Sequence, residues 1–139
     1  MRIITSLLDP AENSAQRENM ACLLTGLFTG EIDPAEVFTA DYQQFTDGHA
    51  LDYQGFVQHL NHVRAQNREI AFTVEEISCQ NHLLADRHIV TVTYPEGHQA
   101  VLEVYMFAAL REGKIWRIHE VTRALSGNAS DRALAHATQ

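Results

Sequence analysis

Residues 100–122 read AVLEVYMFAALREGKIWRIHEVT. Side chains of a strand alternate between its two faces, and Leu102, Val104, Met106, Ala108 and Leu110 alternate here with Glu103, Tyr105 and Phe107. Glu112-Gly113 is a two-residue loop suited to a tight hairpin, so the spacing predicts a strand over 100–111 and an antiparallel partner over 114–122. The first of these strands is apolar on both faces, which lets one face fill a core while the other meets a partner.

The same period of two extends upstream to Arg68, with β-branched and aromatic residues dominating. It predicts strands over 69–79 and 83–94, separated by Gln80-Asn81 and closed by Pro95-Glu96-Gly97. Four strands then form an antiparallel meander. Before Arg68 the period is closer to four. Asp-Pro-Ala-Glu occurs at 9–12 and again at 33–36, each time a full helix start: Asp caps, Pro takes the first helical position, and Glu reaches back to the cap. After the first, Met20, Leu23, Leu24, Leu27 and Phe28 predict a helix from Pro10 to Thr29, ended by Gly30. The second start predicts a short helix to about Thr39, because Asp41 to Thr46 reads as a strand ended by the Asp47-Gly48 turn. Asp52 caps a third helix, flanked by Leu51 and Phe56 as a hydrophobic staple; Phe56, Leu60 and Val63 share its buried face to about Gln66. One domain over 1–125 is expected, followed by a polar tail over 126–139.

Composition agrees with one globular domain: 139 residues, 45% apolar and 20% charged. Ten Lys and Arg against 18 Asp and Glu give a net charge of −8, a surface that repels phosphate backbones, so a nucleic-acid partner is not expected. Cys22 and Cys79 lack a partner at metal or redox spacing, which suggests free thiols in a reducing compartment. The apolar run near the start is too short for a signal sequence and no stretch has the length of a membrane span. The expectation is a soluble, cytoplasmic protein with no membrane partner.

Helix, short helix, strand, helix and meander is an α+β order in which a long curved sheet must cover the helices. In its order of elements, and in Gly30-Glu31-Ile32-Asp33, Tyr42-Gln43-Gln44, Gly48, Phe56, Glu112-Gly113-Lys114-Ile115 and Glu120, the chain resembles the nuclear-transport-factor-2-like (NTF2-like) superfamily over residues 10–124. Within it the likeness is to the SnoaL-like polyketide-cyclase and ketosteroid-isomerase-like branches. The resemblance implies a cystatin-like cone, with N-terminal helices packed in a curved, mostly antiparallel sheet around a pocket.

Glu120 is the leading chemical candidate. It shares a strand face with Trp116 and Ile118, and apolar surroundings raise a carboxyl toward the range useful for general acid or base work. The competing reading is an ordinary ion pair with Arg123 or Arg117 at the sheet edge. In the resembling cyclases and limonene-epoxide-hydrolase-like relatives an acid at this position is catalytic; in the epoxide-hydrolase-like relatives a Tyr and an amide at the spacing of Tyr42 and Gln44 hold a water against it, which implies that these two orient a water or a substrate carbonyl here, the alternative being that Tyr42 packs and Gln44 bonds the backbone. Phe45, Met106, Trp116 and Ile118 are candidate walls; Asp47, His49 and His119 are candidate ligand contacts at the rim. Asp47-Gly48 is also an ordinary turn. Steroid isomerases carry a tyrosine where this chain has Leu23, polyketide cyclases commonly have His where it has Phe45, and the charged middle-strand pair of epoxide hydrolases has no counterpart between Ile89 and Tyr94. His59 and His62 sit at i, i+3, with His49 or His119 to complete a metal site, but no carboxylate or Cys has supporting spacing, so no metal is expected; His88 and His98 read as strand-end and loop residues.

Two functions follow. One is a cofactor-free cyclase, isomerase or dehydratase acting on an apolar carbonyl compound, with Glu120 as acid or base and Tyr42 and Gln44 orienting. The other is a non-catalytic ligand-binding or association module, a homodimer through the exposed face of the sheet. Whether Glu103 joins Glu120 in the pocket is left open by the alternation alone.

Overall fold

The chain is described by a computed structural model covering residues 12–66, 68–80 and 82–126. Helices α1 (Asn13–Thr29), α2 (Pro34–Val37) and α3 (Tyr53–Ala65) accompany strands β1 (Phe38–Thr46), β2 (His49–Asp52), β3 (Glu69–Gln80), β4 (Leu83–Thr93), β5 (Gln99–Arg111) and β6 (Lys114–Ser126). The six strands form one curved sheet in the order β2-β1-β6-β5-β4-β3. All neighbours are antiparallel except β1 and β6, which run parallel. This is the expected α+β cone with a mostly antiparallel sheet. Among the described residues no helix is long and apolar enough to cross a membrane.

The meander strands begin and end within about four residues of their sequence-based bounds. Glu112 and Gly113 both have positive φ (52° and 80°), the primed turn that matches the twist of a two-residue hairpin. Two of the three helix starts behave as read. Asp33 accepts a hydrogen bond from the Ala35 N–H (3.0 Å), and Asp52 accepts one from the Gly55 N–H (2.8 Å). The first does not: Glu12 is extended and itself occupies the cap position, so α1 starts at Asn13 instead of Pro10. Asn13 donates from its side chain to the Ile77 carbonyl (2.8 Å), a tie to β3 in place of a self-contained capping box. Residues 9–11, and the tail over 127–139, lie outside the described residues.

Three further differences matter for the site. β1 starts at Phe38, directly after a four-residue α2. The segment after the Asp47-Gly48 turn is a strand, β2, which folds back on β1. β6 continues to Ser126, four residues past the predicted Thr122, because it pairs along β5 as far as Val101.

Register across the sheet decides what faces the helices. Thr46, Glu120, Met106, Asp86 and Ile77 form one row across β1, β6, β5, β4 and β3; Thr122, Val104, His88 and Val74 form the next inward row. The row between them, Val121, Tyr105, Arg87 and Glu76, lies on the outer face, as does the row on the far side of Glu120, Phe45, His119, Phe107, Ala85 and Ser78. α1 lays Met20, Leu23 and Leu27 into the concave side, and α3 adds Phe56, Leu60 and Val63. Phe38, Tyr42 and Phe56 pack as an aromatic trio, with ring centroids 4.5–5.3 Å apart, closing the cone beside β1.

Candidate active site

Between α1, α3 and the concave face is a cavity of about 120 Å³. Its walls are mostly apolar, from Leu24, Phe28, Phe72, Val90, Leu102 and Met106 among others; its polar lining comes from Gln44, His59, His88, Glu120 and Thr122. Among the described residues no Lys or Arg lines it.

Glu120 reaches this cavity from β6, in the row that ends on Thr46. Alternation along β1 places Tyr42, Gln44 and Thr46 on one face, and they form a directed chain. The Tyr42 hydroxyl donates to Gln44 Oε1 (2.7 Å), Gln44 Nε2 donates to Thr46 Oγ1 (3.0 Å), and Thr46 Oγ1 donates to Glu120 Oε1 (2.8 Å). Each acceptor fixes the direction of the next donor. Tyr42 is fully buried and does not line the cavity; it reaches the site through Gln44. Burial, and then the charge of Glu120, push its phenol well above its ordinary value, so it remains a neutral donor. The Glu120 carboxyl is also raised, chiefly because it is removed from water. The Thr46 hydrogen bond and His88 oppose that shift, while the negative charges of Asp86 and Asp47 add to it.

Across the cavity β4 supplies a pair absent from the sequence expectations. His88 Nδ1 lies 2.9 Å and 3.1 Å from the two carboxylate oxygens of Asp86, and both side chains are buried. A carboxylate–imidazole pair on a middle strand is therefore present, just ahead of the Ile89–Tyr94 stretch, and His88 is a cavity residue instead of a strand-end one. Its face was readable, since His88 shares parity with Val90 and Val92. That it comes opposite Glu120 depends on the registers of two hairpins.

The other candidates separate by face. Met106 and Ile118 line the cavity. Trp116 does not: the register shifts between Ala109 and Leu110, and the bulge turns Ile115 inward in its place. Trp116 instead stacks between the Arg111 and Arg117 guanidiniums, 5.2 Å and 4.7 Å from its ring centroid. Phe45 and His119 stack on each other on the outer face (4.6 Å), so neither is a wall. His49 is exposed on β2. Asp47 holds the turn with positive φ (50°), and its carboxylate accepts from the Thr122 N–H (2.9 Å) and the Thr122 hydroxyl, bracing a cavity residue from behind. His59 lines the cavity while His49 and His119 face away, and among the described residues no group of three or more His, Cys, Asp or Glu could hold a metal ion.

Neither proposed ion-pair partner reaches Glu120. Arg123 donates to Glu103 (2.8 Å), and Arg117 lies on Trp116. Glu103 belongs to the outer face, where it also accepts from Arg87 (3.1 Å), which in turn meets Glu76 (2.9 Å). Hydrogen bonds from Arg123, then Arg87, hold its carboxyl below the usual range despite its burial. The two glutamates do not share the cavity.

No family model matches the sequence. An uncharacterized protein of Schizosaccharomyces pombe, C11D3.04c, is 30% identical over 108 residues, covering 77% of this chain and 83% of that protein. Among solved structures, a SnoaL-like polyketide cyclase from Agrobacterium tumefaciens superimposes with a TM-score of 0.62 at 16% identity, over 81% of this chain and 92% of that one. IdmH of Streptomyces antibioticus, a candidate polyketide cyclase, gives a TM-score of 0.63 at 17% identity, over 74% and 88%. A protein of Cytophaga hutchinsonii, NTF2-like and of unknown function, gives 0.57 at 10% identity, over 77% and 96%. The chain belongs to one family with the fission-yeast protein C11D3.04c, and it has the fold seen in the NTF2-like proteins and SnoaL-like polyketide cyclases on which it superimposes.

Proposed function

We propose that this protein is a small enzyme acting by acid–base chemistry, without a cofactor, on an apolar carbonyl-bearing molecule, as a cyclase, isomerase or dehydratase. The observation that carries this reading is a carboxyl of raised pKa and a buried Asp–His pair facing one apolar cavity. A proton acceptor and a proton donor placed together in a site removed from water are what enolisation requires. Among the described residues no Lys or Arg lines the cavity, so a neutral ligand fits it better than a carboxylate or phosphate. Likeness to polyketide cyclases points the same way.

The expected result is that micromolar protein accelerates exchange of the α-hydrogens of cyclohexanone in deuterium oxide, followed by proton NMR, above the buffer rate. A rate equal to that with heat-inactivated protein would count against the reading.

A specific surface supports association as well. Phe107 (56% exposed), Tyr105 (43%) and Val121 (55%) adjoin one another on the outer face, beside the stacked Phe45 and His119. Contiguous apolar surface of this kind marks a protein contact, and a two-fold pairing of sheets would cover it. Light scattering at micromolar concentration is expected to give twice the 15.6 kDa chain mass, and Phe107→Glu to give a single chain. A monomeric wild type would remove the proposal.

A further inference from the structure

We infer that His88, held by Asp86, takes the proton from carbon, and that Glu120 works in its neutral form, donating to the carbonyl oxygen. This assignment rests on the acid–base reading above and deepens it.

The argument begins with the ring nitrogens. Asp86 meets Nδ1 with both carboxylate oxygens, so the neutral imidazole keeps its hydrogen there. Nε2, the other ring nitrogen, then carries the lone pair, on a residue that lines the cavity. A carboxylate that fixes the tautomer and faces the charge of the protonated ring makes a histidine a better base.

The chain on β1 assigns Glu120 the opposite role. Its polarity runs from Tyr42 through Gln44 and Thr46 to end on Oε1, which is therefore an acceptor. A proton on this carboxyl resides on Oε2. Around it are apolar walls, the imidazoles of His88 and His59 line the same cavity, and the nearby charges include two carboxylates, Asp86 and Asp47. Asp86 and Glu120 sit in one row with Met106 between, and His88 and Thr122 in the next with Val104 between. The backbones of base and acid are thus two strand spacings apart and offset by two residues along the strands, about 11–12 Å in all, which leaves room for one carbonyl group and its α-carbon between the side chains.

The step balances. The α C–H bond breaks and its proton passes to Nε2; the bonding pair becomes the carbon–carbon π bond of an enol. The carbonyl oxygen takes the proton of Glu120 Oε2, leaving a carboxylate opposite an imidazolium. In deuterium oxide the imidazolium exchanges its proton, and reversal returns deuterium to carbon.

Cyclohexanone exchange separates the roles. His88→Asn keeps an N–H at the position of Nδ1 for Asp86 but has no base, and is expected to lose about 100-fold or more of the enzymatic rate. Glu120→Gln keeps a donor at Oε2 and is expected to lose no more than about tenfold. The reverse order, with Glu120→Gln inactive and His88→Asn near wild type, overturns the assignment and leaves the acid–base reading standing. A wild type without acceleration overturns both. A substrate-free readout guards against misfolded variants: nitrogen NMR of wild-type His88 is expected to show the hydrogen on Nδ1, and Asp86→Leu to move the population toward Nε2–H. A wild-type ring already protonated on Nε2 alone would overturn the role given to Asp86.

Discussion

His88→Leu is expected to cost the fold about 1–3 kcal/mol at pH 7, the range for leaving a buried polar group without its hydrogen-bond partner. The Asp86 side chain has 0% exposure and His88 is its hydrogen-bonded partner. Leucine restores most of the ring's volume but leaves the carboxylate in an apolar wall without a donor, so the loss is electrostatic in origin instead of a cavity effect. Urea unfolding should show a lower midpoint with an unchanged slope, the mark of altered stability without altered surface exposure.

The same reasoning fixes a companion result. Replacing both members, Asp86→Val with His88→Leu, removes the orphaned charge and should recover most of the loss, because a buried pair exchanged for apolar residues is often neutral. A loss below about 1 kcal/mol in His88→Leu, or a double variant no better than the single, would mean that the pair is not desolvated as its burial indicates.

Much of this architecture was legible because the sequence signals were redundant. β5 alternates over 13 residues and is closed by a Glu-Gly turn, so period and turn agree on one hairpin. Asp52 was legible for the same reason: cap, Leu51 and Phe56 each indicate the same helix start. Single signals were less secure. Asp-Pro-Ala-Glu opens α2 at 33–36, yet Glu12 of the identical tetrapeptide is extended, so local chemistry at a helix start yields to what the helix packs against. β2 has four residues, three of them exposed, and carries no alternation to read; it exists because the Asp47-Gly48 turn returns the chain along β1. In the site, parity along one strand correctly joined Tyr42 to Gln44 and Ile118 to Glu120. It failed for Trp116, where a bulge breaks the alternation. Which residues oppose each other across three strands is set by turn geometry and register shifts, and that hid His88 and Asp86 and left Glu103 open.

The proton affinity of Glu120 makes a prediction about stability that needs no substrate. Its folded-state pKa is raised above the unfolded value, chiefly by desolvation, with Asp86 and Asp47 reinforcing and Thr46 and His88 opposing. The folded state therefore binds this proton more tightly than the unfolded chain does. The stability it contributes is fully present below the unfolded carboxyl pKa, near 4.3, and is lost as pH rises through the folded value, about 1.4 kcal/mol for each unit separating the two. Glu120→Gln stays neutral at every pH, and its Oε1 can still accept from Thr46. Against wild type it should thus gain stability toward pH 8, with the difference shrinking on acidification toward pH 4. Denaturation midpoints across that range, with carboxyl-carbon NMR of Glu120 alongside, test this directly. A difference independent of pH, or one that grows toward acid, would mean the carboxylate is stabilised in the folded protein, by solvent or an ion partner, and Glu120 could not be the neutral donor of the enolisation. The cost is borne at neutral pH, where the site works, and it comes from the same desolvation that lets a carboxyl hold a proton against bulk water.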